Sequence, residues 1–442
     1  MVESHAAHGA GAARSAVTTS RATLWRAVAA SIVGNVLEWF DFAVYGYMVP
    51  YIGPHFFPST DRVASNLATF AVFAIGYLAR PVGAVVLGRF GDRIGRRALL
   101  VLSISILGLS SCAIGLLPTY ETLGLGAPVL LVLLRVAQGF SVGGEYTGSM
   151  TYSTEIAPPG RRGFYSSFAT FGTMLGILLS SGAVWLTRTL VGHDALATWG
   201  WRLPFIMGLA VAVFGLWLRR HIPETKADDA GQPAAPLATV FARHWRQLAS
   251  IIGIVTGANV ALYLVFVFAL DVAAQRAAQV PTEALNTVAL VVMLPFIALG
   301  GWWSDRRGRR PASIVTNAAM VLLAVPTLSL CFGFELWPGG PGLEPAAAFL
   351  AGQLLMAVPI GLVYGVQGAM VAELLPQEVR CTVFSVAYSL AMALFAGSSP
   401  LIAEWMLHRV QWSAGPAVYL IVWAMIAVVS VVRSRETYRV AL

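Results

Sequence analysis

Apolar residues come along this chain in long runs broken by short polar stretches. Twelve runs of roughly twenty residues, enough for a helix to cross a bilayer, lie near 27–51, 63–88, 98–117, 128–152, 164–187, 204–219, 248–270, 284–303, 312–334, 347–371, 383–407 and 414–432. The pattern predicts an all-α membrane protein of twelve transmembrane helices. Residues 1–26, rich in Ala, Ser, Thr and Arg and without periodicity, predict a disordered tail. A signal peptide is the alternative; the next run is too long for one and is interrupted by acids. The longest hydrophilic stretch, 220–247, contains Pro223, Asp228, Asp229, Gly231, Gln232 and Pro233, a linker composition. It divides the spans six and six, into 27–219 and 248–432, with a short tail at 433–442. Two such units joined by a loop is a parallel-repeat layout.

Arginines sort the connectors by side. Arg89, Arg93, Arg96, Arg97, Arg161, Arg162, Arg219, Arg220, Arg306, Arg307, Arg309, Arg310 and Arg380 fall on one side, with the tail residues Arg433, Arg435 and Arg439. The opposite connectors are sparse; that from Pro118 to Ala127 carries only Glu121. By the positive-inside rule the arginine-rich side, and both termini, are expected in the cytoplasm. Composition agrees with burial in lipid: 57% hydrophobic, 11% charged, mean hydropathy +0.72. A net charge of +8 raises nucleic acid as a partner. The basic residues sit in short loops beside apolar runs, however, and leave no nucleic-acid footprint. Cys112, Cys331 and Cys381 are scattered, which predicts neither a disulfide framework nor a metal site.

One connector appears twice. Gly88-Arg89-Phe90-Gly91-Asp92-Arg93-Ile94-Gly95-Arg96-Arg97 matches Gly301-Trp302-Trp303-Ser304-Asp305-Arg306-Arg307-Gly308-Arg309-Arg310, the aspartates being 213 residues apart. A second echo, Glu155-Ile156-Ala157-Pro158 with Arg162 against Glu373-Leu374-Leu375-Pro376 with Arg380, has an offset of 218. Either alone is equally a positively charged turn; a shared order and register indicate duplication. The paired connector resembles the signature loop of the major facilitator superfamily. Gly34-Asn35-Val36-Leu37-Glu38-Trp39-Phe40-Asp41-Phe42 and Gln138-Gly139-Phe140-Ser141-Val142-Gly143-Gly144-Glu145 look like its metabolite:proton symporter branch. That resemblance implies a bacterial inner-membrane carrier of organic acids, such as citrate or 2-oxoglutarate, or of zwitterions such as proline and betaine. It implies gating roles for Gly88, Asp92, Arg93, Gly95, Arg96, Arg97, Gly301, Asp305, Arg306, Gly308 and Arg309, and no cofactor beyond the coupling proton.

Ionisable residues inside a span cost roughly 3 kcal/mol each on insertion scales. Asn35, Glu38, Asp41 and Tyr45 nevertheless fall at spacings of three and four along the first span. Arg135, Gln138, Glu145, Ser149 and Tyr152 line the fourth. Both stripes are expected to face protein or a water-filled cavity. At 1.5 Å per residue Asp41 and Arg135 lie roughly 20 and 24 Å from the arginine-rich end, depths compatible with an ion pair. The related sugar-porter branch shows such a pair. Protonating the aspartate frees the arginine for a substrate anion; a fixed structural pair is the alternative. Arg80 and Glu145 share a second depth, where a structural pair or a substrate contact for Arg80 is expected. Glu38 and Glu145 are the further candidates for the coupling proton. Superfamily analogy puts spans one, four, seven and ten around the cavity. Tyr45, Asn259, Tyr263, Tyr364, Gln367 and Tyr388 are then candidate substrate groups, or plain interhelical hydrogen bonds. Trp199-Gly200-Trp201-Arg202 is expected at lipid headgroups.

Two departures from the branch weaken any transfer of substrate identity. Tyr388-Ser389 stands where the branch commonly has Tyr-Asn, and Ala396-Gly397 where it has Gly-Gly. The short tail also lacks the coiled coil of osmosensing betaine carriers. The expected function is proton symport of a di- or tricarboxylate by a monomer in the lipid bilayer. A zwitterionic osmolyte is the alternative cargo, and a non-transporting membrane sensor the alternative class. With no nucleotide loop, metal cluster or nucleophile–base set at credible spacing, an enzyme is not expected.

Overall fold

The computed structural model describes residues 21–84, 86–87, 96–143, 145–220, 237–276, 282–333, 343–377 and 379–440. Gly88, Asp92, Arg93, Gly95 and the middle of the linker lie outside the described residues, as do the side chains of Arg96 and Arg97. With no water to bond the backbone inside lipid, each apolar run closes its hydrogen bonds within itself as a helix. Ten described helices are long and apolar enough to cross a membrane. An eleventh crossing is a pair, His193–Gly200 and Arg202–Trp217, bent by 66°, and the shorter apolar Val101–Leu116 makes the twelfth. We number them α1 (Arg21–Phe56), α2 (Arg62–Ala84), α3 (Arg96–Leu116), α4 (Gly126–Ile156), α5 (Arg162–Val191) and α6 (Arg202–Arg220). The second set is α7 (Arg243–Gln275), α8 (Thr282–Arg307), α9 (Arg309–Phe332), α10 (Pro345–Leu374), α11 (Arg380–His408) and α12 (Gly415–Arg433). This is the twelve-helix fold expected from the hydropathy pattern.

Several helices are not the plain rods a hydropathy run suggests. In α4 the helix ends at Ser141 and restarts at Glu145. There Gly143 lies against the backbone of Arg80 and Ala84, closer than a side chain would allow. Gly139 and Gly83 make the same kind of approach, to the carbonyls of Gly76 and Phe140, so α2 and α4 cross backbone to backbone. A π-turn at Leu264–Phe268 widens α7 and leaves the Val265 carbonyl to accept from Gln353 Nε2 at 3.0 Å. A second, at Met392–Ala396 in α11, presents the Phe395 carbonyl to Tyr419 at 2.9 Å.

The first six helices meet the last six along α5 and α8, and again where α4 reaches α10 and α11 and α2 reaches α11. Leu109, Leu133, Leu190 and Leu322 are exposed, as lipid-facing residues should be. Trp201 departs from the headgroup expectation. It is fully buried beside Phe56 and Phe205, with His55 stacked on it and Arg202 4.2 Å over its ring; Trp199 alone is exposed.

Candidate functional site

Three helices deliver two arginines to the middle of the bundle. On α1, Glu38, Phe42 and Tyr45 follow at intervals of four and three, and on α2 so do Phe73, Tyr77 and Arg80. These faces meet with α4, which supplies Arg135 and Gln138. The Arg80 guanidinium lies 4.3 Å from the Phe42 ring, 4.7 Å from Tyr77 and 4.9 Å from Trp39. That of Arg135 lies 4.2 Å from Tyr45, 4.4 Å from Phe42 and 5.6 Å from Phe73. Phe42 is thus the shared face between two cations. Each such contact is worth up to about 2 kcal/mol when dry, less than the several kcal/mol it costs to take a charge out of water.

The remaining neighbours differ between the two arginines. Arg80 has the Glu38 carboxylate at 3.9 Å. Arg135 donates from Nη1 to Gln138 Oε1 at 2.9 Å, and no carboxylate lies within 4.0 Å of it among the described residues. Its Nε and Nη2, fully buried, have no acceptor.

Two expected pairings are therefore corrected. Asp41 does not meet Arg135. Its Oδ1 lies beside Ser111 of α3 and the Cα of Gly208 in α6, on the far side of α1. A helix turns 100° per residue, so Asp41 points about 100° away from its neighbour Phe42, whose ring carries Arg135, and meets α3 and α6 instead. Arg80 takes Glu38 rather than Glu145; the break in α4 resets the direction of Glu145, which opens the second segment half-buried. That break also leaves Tyr152 exposed, away from the stripe assigned to it.

The other candidates gather where the two sets of six helices touch. Tyr77 and Tyr263 share a short hydroxyl–hydroxyl hydrogen bond across that boundary. Tyr146 packs on Tyr388 with ring centroids 5.0 Å apart, and Thr147 bonds Ser385 at 2.6 Å. The Tyr364 hydroxyl donates to Asn259 Oδ1 at 3.0 Å, and Gln367 Nε2 to the Ile254 carbonyl at 3.2 Å. Tyr45 reaches the Thr69 carbonyl at 3.3 Å. Between these groups lies a cavity of about 10 Å³, lined by Trp39, Phe73, Tyr77 and Tyr263. Small-molecule sites ordinarily measure roughly 300 Å³ or more, so the centre is closed around its own side chains.

Both ends are shut by cross-boundary bonds. On the arginine-rich face, Asp305 accepts from the backbone N–H groups of Gly163 and Phe164 at the start of α5, each at 2.8 Å. A helix N-terminus is the favourable place for that charge. Arg309 holds Asp305 at 2.7 Å and grips Glu373 bidentately at 3.0 and 3.1 Å; Arg380 bonds Glu155 at 2.6 Å. Gly301 lies against the backbone of Gly163, and Gly308, at φ 102°, ends α8 where Glu436 caps α9. Arg306 stands apart from this cluster, 4.1 Å over the Trp302 ring at the surface.

The opposite face was not legible as a gate beforehand. Arg188 bonds Glu283 at 2.6 Å, Arg409 bonds Asp61, and Asn66 Nδ2 reaches both Asp271 at 3.2 Å and Glu404 at 3.3 Å. Glu404 lay inside a predicted span, a signal that was available. Asp271 fell one residue past the end of another.

Comparison with known proteins accords with this architecture. Residues 27–227 match the family described as Sugar (and other) transporter. A proline/betaine transporter of Salmonella typhimurium is 34% identical over 430 residues, covering 94% of this chain and 84% of the relative. A citrate-proton symporter of Klebsiella pneumoniae is 36% identical over 396 residues, covering 88% of this chain and 86% of the relative. The solved structure of the major facilitator superfamily proton:xylose symporter XylE bound to 6-bromo-6-deoxy-D-glucose shares the fold. Its TM-score is 0.74 at 18% identity, over 93% of this chain and 96% of that one.

Proposed function

The chain belongs to the major facilitator superfamily, in the branch of proline/betaine transporters and citrate-proton symporters, and from that premise we propose that it takes up a small di- or tricarboxylate with protons. Arg135 carries this reading. A buried guanidinium with two unaccepted donor nitrogens and no carboxylate is costly when the site is empty and complementary to an anion when it is filled. Arg80, with Glu38 at 3.9 Å as its one carboxylate within 4.0 Å among the described residues, offers a second cation for a second carboxylate. Gln138, Tyr45, Tyr263, Tyr364, Tyr388, Asn259 and Gln367 surround this centre as hydrogen-bonding groups. In this reading the arginine-rich face is cytoplasmic. The two six-helix units rock about the α5–α8 seam, each end opening as its ion pairs part. Asp41, secluded from the substrate, carries the coupling proton.

Proline or betaine is the second reading, because Trp39, Phe42 and Tyr77 present ring faces and Glu38 a carboxylate to an ammonium group. Uptake into proteoliposomes under an inside-alkaline gradient, with citrate, 2-oxoglutarate, succinate, proline and betaine as competitors, separates the two. Inhibition by carboxylates and loss of at least tenfold in uptake for Arg135→Ala are expected. Inhibition by betaine alone would replace the anion reading with the osmolyte one.

A further inference from the structure

Asn66 of α2 bridges two acids of the other six helices, and these acids have too few partners. Asp271 lies near the end of α7 and is 3% exposed; Glu404 lies in α11 and is 1% exposed. Asp271 Oδ2 accepts from Asn66 Nδ2 at 3.2 Å and from Gln275 Nε2 at 2.9 Å, and Glu404 Oε1 accepts from the same Asn66 nitrogen at 3.3 Å. Asp271 Oδ1 and Glu404 Oε2 are buried without any donor in hydrogen-bonding distance. Two carboxylates around one neutral amide, both out of water, cannot both stay ionised cheaply. A proton on either acid relieves the repulsion, and the two then titrate as a coupled pair.

Their surroundings supply no substitute for that proton. No arginine comes within 4.0 Å of either acid among the described residues; Arg62 at the start of α2 acts on both from further away. His408, on the same helix as Glu404, stands 3.6 Å from its Oε2. From α1, Tyr51 lines a cavity of about 30 Å³ together with Asp271 and with Glu283 of α8, which Arg188 of α5 neutralises. That volume admits water, giving a proton a way to Asp271. Asp61, the other nearby acid, is held below the usual carboxylate range by the hydrogen bond from Arg409 and remains charged at neutral pH.

We propose that Asp271 and Glu404 form a proton-binding site in the outer gate, which holds a proton while that gate is shut and opens it on release. Asn66 is the only bond from the first six helices to these acids among the described residues, so the site exists only while the two units are together on this side. Protonation from outside then favours closure, as symport requires, and deprotonation drives the acids apart and into water. The orientation and the coupling assumed here rest on the symport reading above.

The test uses the full chain in lipid nanodiscs, with its three cysteines replaced and spin labels on Ser59→Cys and Ser413→Cys, both exposed at this end. The distance between labels is measured from pH 6 to pH 9. A shift toward longer distances as pH rises is expected. It should be lost in Asp271→Asn/Glu404→Gln, which stays closed, and mostly lost in either single variant; should the double variant not be monodisperse, the single variants decide. His408→Asn should leave the midpoint in place. A pH-independent distance in the parent, an unchanged transition in the acid variants, or its loss with His408 alone would each overturn the site. Uptake of citrate by the parent under a pH gradient is measured alongside. If citrate uptake is absent while the transition still follows the two acids, the carboxylate reading fails and the proton site stands.

Discussion

Asp41 and Arg135, expected at similar depths, meet different neighbours. Helical rise places a residue along the membrane normal, and turn places it around the axis; an error of one residue in the second is 100°. The aspartate beside Gly208 and the arginine between Phe42 and Tyr45 are consequently separate units. Separation sharpens the expectation for Asp41→Asn: with no arginine to release, the substrate centre stays intact. Counterflow of labelled for unlabelled substrate should continue at near parental rate, while accumulation driven by a pH gradient disappears. Loss of both in monodisperse protein would make Asp41 a packing residue. Accumulation retained would move the proton to Glu38, Glu145 or the outer acids.

Between helices, the crossing of α2 and α4 explains why so much glycine surrounds Arg80. Gly76, Gly83, Gly139 and Gly143 let the two backbones touch, and this brings Arg80 and Arg135 to the same ring of α1. A Cβ on Gly139 would overlap the Gly76 carbonyl, with no flexible side chain to yield. Overpacking of this kind costs about 1–3 kcal/mol. Gly139→Ala is expected to lower the thermal midpoint in detergent by several degrees and to reduce substrate affinity with it. Gly148→Ala, where the space is open, serves as the control. Equal melting of the two would mean that α2 can slide to make room.

Across the whole molecule, the centre is closed and both ends are bonded, so small biases decide which end opens. Asp305 accepts two backbone N–H groups at the start of α5 and an arginine besides. Asp305→Asn removes a charge–dipole contact of up to about 2 kcal/mol and is expected to raise the population open at the arginine-rich face several-fold. The readout is modification of a cysteine placed at Thr147, whose hydroxyl now bonds Ser385. Arg188→Gln should do the opposite, freeing Glu283 and favouring opening of the other face. Unchanged reactivity in Asp305→Asn would assign the gate to Arg380–Glu155 instead. The Asp61–Arg409 latch adds a pH sign of its own: with the carboxyl held low, its contribution is present at neutral pH and is lost as pH falls through that depressed value.

Hydropathy and the doubled connector by themselves determined the all-helical membrane fold and the superfamily, because lipid forces every apolar run into one kind of element. Sequence also singled out Glu38, Arg80 and Arg135 as candidates, since they are costly in a membrane wherever they point. What they point at was decided by tertiary structure. The break in α4, the π-turns in α7 and α11 and the glycine crossing of α2 with α4 each change direction or spacing by a fraction of a turn, and hydropathy is insensitive to that. The pairing of Glu38 with Arg80, the isolation of Arg135 and the meeting of Asn66 with Asp271 and Glu404 join residues as many as 338 positions apart. Such contacts depend on how rigid helices dock, and no local pattern along one helix encodes the azimuth of another.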